Sequence, residues 1–183
     1  MAHPLRMTLR LAAAFSLLAL GACATAPATV AGKADIERDA AAALSRARSS
    51  DPSMGDILNA AAGYAVFPTV GKGAVGIGGA YGKGVLYANS VPMGYCDLSQ
   101  ATIGFQLGGQ SYTEIIAFNT TKALSSFQEG NFGFDAQATA VALKSGAGAN
   151  AKFKEGVAVF TMDEAGLMFE ASIGGQKFSY QKK

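Results

Sequence analysis

The chain has one histidine, two cysteines and no tryptophan in 183 residues. The histidine, His3, falls in a leader-like opening segment, so the chain processed after that segment would carry none. That excludes Ser-His-Asp and Cys-His catalysis and any histidine-containing metal site. The cysteines are Cys23 and Cys96. With Cys23 committed elsewhere, Cys96 is a lone thiol that cannot form an internal disulfide, and a buried position is expected for it. An excess of positive charge is also missing. Removing residues 1–22 takes Arg6 and Arg10 away, so 15 basic residues become 13, against 13 acidic ones. A basic field for nucleic acid is therefore absent. Half of the residues are apolar and only 15% are charged, which argues against disorder and for one packed domain.

Phosphate-binding and metal-binding signatures fail in turn. Gly71-Lys72-Gly73-Ala74-Val75-Gly76 matches G-x-G-x-x-G. The dinucleotide fingerprint, however, opens a helix and has an acid about 20 residues later. Here a β-like, glycine-rich segment follows, and the next acid is Asp97. Gly82-Lys83 is not followed by Ser or Thr, so a P-loop fails as well. Asp97, Glu114 and Glu170 lie in or near expected strands without the spacing of an acid/base pair, and read as acids on an exposed face. No acid cluster has the EF-hand pattern. The sequence thus predicts a protein that is not an enzyme and needs no cofactor or metal.

What is present begins with targeting. Arg6 and Arg10 precede ten residues, Leu11 to Leu20, that are too few to span a bilayer as a helix but suit a signal-peptide core. Leu20-Gly21-Ala22-Cys23 resembles the lipobox of bacterial lipoprotein precursors, which implies lipidation at Cys23. Alanine at position 24, where aspartate favours inner-membrane retention, implies the outer membrane. At about 0.8 kcal/mol per buried methylene, two or three acyl chains anchor a domain firmly. The expected organisation is a signal peptide over 1–22, a lipidated tether over 23–32 and one domain over 33–183.

Within that domain, Ile36, Ala40, Leu44 and Ala47 recur at helical spacing from Lys33 to Arg48, ended by Ser49-Ser50-Asp51-Pro52. A second helix is expected over 53–62, with Ser53 as its cap. Beyond Gly63 the period becomes two. Short strands are expected at 64–67, closed by Pro68, and at 74–80 and 84–88, with Gly82-Lys83-Gly84 as a turn or bulge between the last two. A loop over 89–97 precedes strands at 100–108 and 112–118. A short helix follows, capped by Asn119-Thr120 and stopped by Gly130. Residues 132–143 alternate again, 145–150 are small, and strands at 157–162, 167–173 and 177–180 close the chain. The fold class is α+β: N-terminal helices, then a mainly antiparallel sheet, curled or barrel-like, with one inserted short helix.

The glycine-rich run 63–87 is the densest feature. Its eight glycines each cost roughly 0.5–1 kcal/mol relative to alanine inside an ordered segment, so tight turns, bulges or close backbone approach are implied. Lys72 and Lys83 are each flanked by glycines. Glycine turns that present these ammonium groups, with nearby backbone N–H groups, would suit phosphate head groups, which makes Lys72 and Lys83 the candidate lipid-binding residues.

Gly63-Tyr64-Ala65-Val66-Phe67-Pro68, the stretch Gly76 to Leu86, and Ile103-Gly104-Phe105-Gln106-Leu107-Gly108-Gly109-Gln110-Ser111 together resemble the SYLF domain family, and the similarity runs to about residue 180. The resemblance implies a compact α+β domain that binds membrane lipids, notably phosphoinositides in eukaryotic members. Fungal members also bind actin, a property not carried over to a bacterial envelope protein. The expected partners are therefore membrane lipids, through the Cys23 anchor and head-group contact, with no nucleic acid and with any protein partner unidentified. The alternative is an envelope structural or protein-interaction module, or a surface antigen, without lipid specificity.

Overall fold

A computed structural model describes residues 25–75, 77–103, 108–130, 132–134, 140–165 and 173–183. The expected leader, Cys23, the middle of the Ile103–Ser111 signature, Glu170 and most of the strand expected at 167–173 lie outside the described residues.

The first helix, α1, spans Val30–Ser50 and begins before the periodic stretch because Thr29 caps it, its hydroxyl accepting from the Gly32 N–H at 3.0 Å. Ala40, Ala43, Leu44 and Ala47 form its buried stripe, and three alanines in four positions let it lie close to a sheet. Helix α2, Ser53–Ala60, starts differently from expectation. Pro52 occupies its N-cap and makes no side-chain hydrogen bond. Asp51, one residue earlier, supplies the missing acceptor, taking hydrogen bonds from Ser53 N at 3.0 Å and Ser53 Oγ at 2.7 Å.

Seven strands follow among the described residues: β1 Gly63–Val75, β2 Ile77–Ala88, β3 Val91–Ile103, β4 Gly108–Phe118, β5 Val141–Ala142, β6 Val157–Ala165 and β7 Gln176–Lys182. Helix α3, Thr121–Gln128, is inserted after β4 and is capped by Thr120, as expected. The spatial order is β5-β6-β4-β1-β2-β3-β7, with every pair antiparallel except β5–β6.

The strands of the glycine run are longer than their sequence suggests. β1 does not stop at Pro68: the register shifts between Phe67 and Val70 and the strand continues. A bulge leaves a residue outside the ladder, which is how a strand tolerates a proline without an N–H. Gly82-Lys83-Gly84 is not a turn but the middle of β2, with Lys83 paired to Thr69 on one side and Asp97 on the other. The expected loop over 89–97 shrinks to Asn89-Ser90. Both have positive φ, 50° and 61°, and the Ala88–Val91 pair closes a two-residue hairpin around them.

Both sheet faces are covered. Tyr64, Val66, Val85, Tyr87 and Ile115 pack under α1 and α2, while Phe67, Leu86, Leu98, Ile116 and Phe118 pack toward α3. The α3 side is concave. In a flat sheet β4 and β7, with three strands between them, would lie about 19 Å apart at ~4.8 Å per strand. Instead Gln176 Nε2 on β7 lies 2.9 Å from Glu114 Oε2 on β4. The rings of Phe67 and Phe178, on β1 and β7, are 5.9 Å apart. The sheet is curled, as expected, but not closed into a barrel: β5 and β7 remain its two edges.

Candidate functional site

Strand alternation places Lys72 and Lys83 on opposite faces of the sheet. Val70 packs on the α3 side, so Lys72 two residues on shares that face, whereas Val85 and Tyr87 pack on the α1 side and Lys83 belongs with them. The two lysines of the glycine run are therefore not brought together.

Lys83 is partly buried and held. Its Nζ lies 3.0 Å from Asp97 Oδ1, directly across the β2–β3 ladder, and 3.2 Å from the carbonyl of Thr25. The same ammonium sits 5.9 Å from the centroid of the Tyr81 ring. Burial pulls the Lys83 pKa down, but the contacts with Asp97 and Tyr81 more than restore it, so the group stays charged. For Asp97 burial wins: its pKa is raised despite the opposing contact with Lys83. Lys72 is half-buried in β1, opposite Ala80 on β2 and Gln110 on β4.

The Lys83 cluster fixes the start of the described chain. The Thr25 hydroxyl lies 2.9 Å from that of Ser179, and the Ala26 N–H donates to Gln181 Oε1 at 3.2 Å. Ala26 is buried in the core on the α1 side. The segment expected as a tether is thus docked against β7 for at least these two residues.

A second polar cluster occupies the concave face, where sequence reasoning placed an exposed acid. Glu114 is fully buried, not exposed, and Asp97 is only 8% accessible. The pattern that reveals Glu114 is available in the sequence: in β4 it alternates in step with Tyr112, Ile116 and Phe118, all inward-facing. Gln176 Nε2 donates to Glu114 Oε2 and lies 3.4 Å from the Tyr112 hydroxyl. Glu114 Oε1 and Gln176 Oε1 are buried without a partner. Burial pushes the Glu114 pKa up to about 7, against the lowering effect of its hydrogen bonds with Gln176 and Tyr112. Cys96, on the same face, is a buried free thiol, as expected; burial and then nearby Asp97 raise its pKa well above the ordinary value, so it stays protonated and inert.

Among the described residues no group of three or more His, Cys, Asp or Glu side chains could hold a metal ion, and no helix is long and apolar enough to cross a membrane.

Comparison with known proteins finds two similarities. Over 141 residues, 76% of this chain, the sequence is 28% identical to Beta cell expansion factor A of Aeromonas veronii. The match covers 54% of that protein, so the chain spans about half the length of the curated relative. Residues 99–183 match the model of the Ysc84 family, described as "Las17-binding protein actin regulator". This C-terminal region, which carries the end of β3 and then β4, α3, β5, β6 and β7, is thus similar to the Ysc84 family.

Proposed function

We propose that the protein is a non-enzymatic lipoprotein of the bacterial outer membrane whose SYLF domain is held against a phospholipid surface by an acyl anchor on Cys23. The observation that carries this reading is the docking of Thr25 and Ala26. From Ala26 back to Thr25 the chain moves from Gln181 to Ser179 along β7. That direction leads toward Gln176, which the register places level with Gln100, Ala80 and Lys72. Cys23 is two residues further back, within about 7–8 Å at 3.8 Å per residue. An anchor there would sit roughly level with Lys72.

Beyond Lys72 the strands suit the boundary between head groups and acyl chains. In residues 71–82 and 99–112 the only charged residue is Lys72. The register aligns Val75, Ile77 and Ile103 across three strands at this end of the sheet, three residues or about 10 Å past Lys72. Interfacial elements embed to about 5–10 Å, with lysines reaching back to the phosphates. In this arrangement Lys72 meets head groups, while Lys83 holds the anchored segment to the domain.

Two measurements test the reading. Cys23→Ser should abolish incorporation of labelled palmitate and release the protein from the outer-membrane fraction. The unacylated Cys23→Ser protein should still pellet with vesicles containing phosphatidylglycerol, more weakly with Lys72→Ala and with less dependence on salt. Failure of the first removes the anchor, and failure of the second removes head-group contact. If vesicles do not bind, the protein-binding description attached to the family becomes the better guide, and a stoichiometric protein partner is the alternative to pursue.

A further inference from the structure

Glu114 and Gln176 sit on strands separated by three others and meet only because the sheet curls. One hydrogen bond joins them, Gln176 Nε2 to Glu114 Oε2 at 2.9 Å. The second oxygen of each side chain, Glu114 Oε1 and Gln176 Oε1, is buried and unsatisfied. Such orphans are rare and costly in a folded core. Both belong to the same joined pair, and both are acceptors only while the carboxyl is ionised. One proton on Glu114 Oε1 turns that atom into a donor and offers Gln176 Oε1 a partner. A carboxylic acid and a carboxamide then complete a ring of two hydrogen bonds.

We propose that Glu114 is held as the neutral acid and forms a two-hydrogen-bond pair with Gln176, a proton-dependent clasp that keeps edge strand β7 curled over β4. Among the described residues no charged side chain acts on the Glu114 carboxyl. On this face β4 contributes Tyr112, β3 contributes Cys96 and β7 contributes Tyr180 as titratable groups. Helix α3 packs Leu124 and Phe127 here, with the uncharged Gln128 hydrogen-bonded to Tyr180, and the segment 132–134 packs Phe132 and Phe134. Lys72 on β1 shares this face, level with Gln110 on β4 and with Gln176 on β7 but separated from β7 by two strands.

Loss of the proton to solvent leaves a buried carboxylate with one oxygen unsatisfied, facing another acceptor. Strand β7 is then held by its ladder with β3 and by the ring contacts of Phe178 with Phe67, Phe127 and Phe132. Loosening β7 uncovers those rings. The clasp opens on the alkaline side, in the neutral range that the raised pKa of Glu114 indicates. It does not depend on whether the protein carries an acyl anchor.

The test uses the full chain with carbon-13 in its glutamate carboxyls, followed by NMR from about pH 4 to 9, a range that brackets the ordinary glutamate value of about 4.3. The Glu114 carboxyl, assigned through its own backbone, should titrate near neutrality while other glutamates titrate near their ordinary value. Amide protection of Lys177 to Gln181, corrected for intrinsic exchange, should fall with the same midpoint. Glu114→Gln can keep the ring as an amide pair, so β7 protection should become independent of pH; Gln176→Leu should leave it low throughout. A Glu114 carboxyl that titrates with the others, or β7 protection that is flat in the wild-type chain, would overturn the clasp. A pH-dependent fall that persists in Glu114→Gln would overturn it too. The two wild-type measurements decide the matter even if neither variant folds.

Discussion

Asp51 is a carboxylate removed from solvent and encircled by donors. It accepts from Ser53 N, from Ser53 Oγ and, 97 residues along the chain, from Gly148 N at 2.6 Å. It thereby caps the α1–α2 corner and pins the turn after β5 to it. Asp51→Ala strands three donors, one of them in a buried turn, and should destabilise the fold by about 2–4 kcal/mol in urea unfolding. Asp51 and Glu114 also bend the pH profile in opposite senses. Burial alone would raise the Asp51 pKa, but hydrogen bonds from Gly148 and Ser53 outweigh it and the value is lowered. Its contribution is therefore present above the ordinary value of 3.8 and is lost as pH falls through the lowered one. The Glu114 value is raised by burial, so its contribution is full below 4.5 and is lost as pH rises to about 7. At about 1.4 kcal/mol per tenfold change in proton activity, that loss is on the order of 3 kcal/mol. Unfolding midpoints should fall from pH 5 toward pH 8 in the wild-type chain and stay level in Glu114→Gln.

At the scale of elements, the glycine run shows what a sequence can and cannot report. A missing Cβ answers either to a left-handed backbone or to a close neighbour, and the sequence does not separate the two. The described glycines with positive φ are Gly130, Gly146, Gly156 and Gly175, all outside the run. Within it, Gly84 is required by clearance: a Cβ there would lie 2.5 Å from the Val66 carbonyl and 2.7 Å from the Phe67 ring. Gly73, in contrast, has nothing within 4 Å. Gly84→Ala should destabilise by about 1–3 kcal/mol through overpacking. Gly73→Ala should be neutral or stabilising by up to about 1 kcal/mol. Paired urea midpoints check both.

The same ambiguity explains which elements were legible. The α1 stripe of Ala40, Leu44 and Ala47 and the Thr120 cap depend on neighbours within one or two turns, and they were readable. Pro68 and Gly82-Lys83-Gly84 look like strand ends, yet a bulge and close cross-strand packing absorb them, so two long strands read as fragments. The Glu114–Gln176 contact joins residues 62 apart through the curl of five strands. Periodicity can turn Glu114 inward, but nothing local to either residue pairs it with Gln176.

For the molecule as a whole, the decisive quantity is how tightly the domain is held to its proposed anchor. With Thr25 and Ala26 docked, only two residues of reach separate Thr25 from Cys23. Undocked, the chain between Cys23 and the Thr29 cap would span about 20 Å when extended, enough to lift Lys72 out of head-group range. Three side chains hold the dock: Lys83, Ser179 and Gln181. Lys83 also balances Asp97, so Lys83→Ala does two things. It frees the Thr25 carbonyl, and it leaves the poorly accessible Asp97 with Tyr81 as its remaining side-chain partner. The single variant should lose about 1–3 kcal/mol, because an acceptor is left poorly satisfied. Lys83→Ala with Asp97→Asn should regain part of that, since the orphaned charge is gone, while the dock stays broken. A nonspecific protease should then cut between Thr25 and Thr29 faster in both variants than in wild type, and Lys72→Ala should leave the cutting rate unchanged. Equal rates in all four proteins would mean that Lys83 only neutralises Asp97, and that the short stand-off from the membrane needs another support.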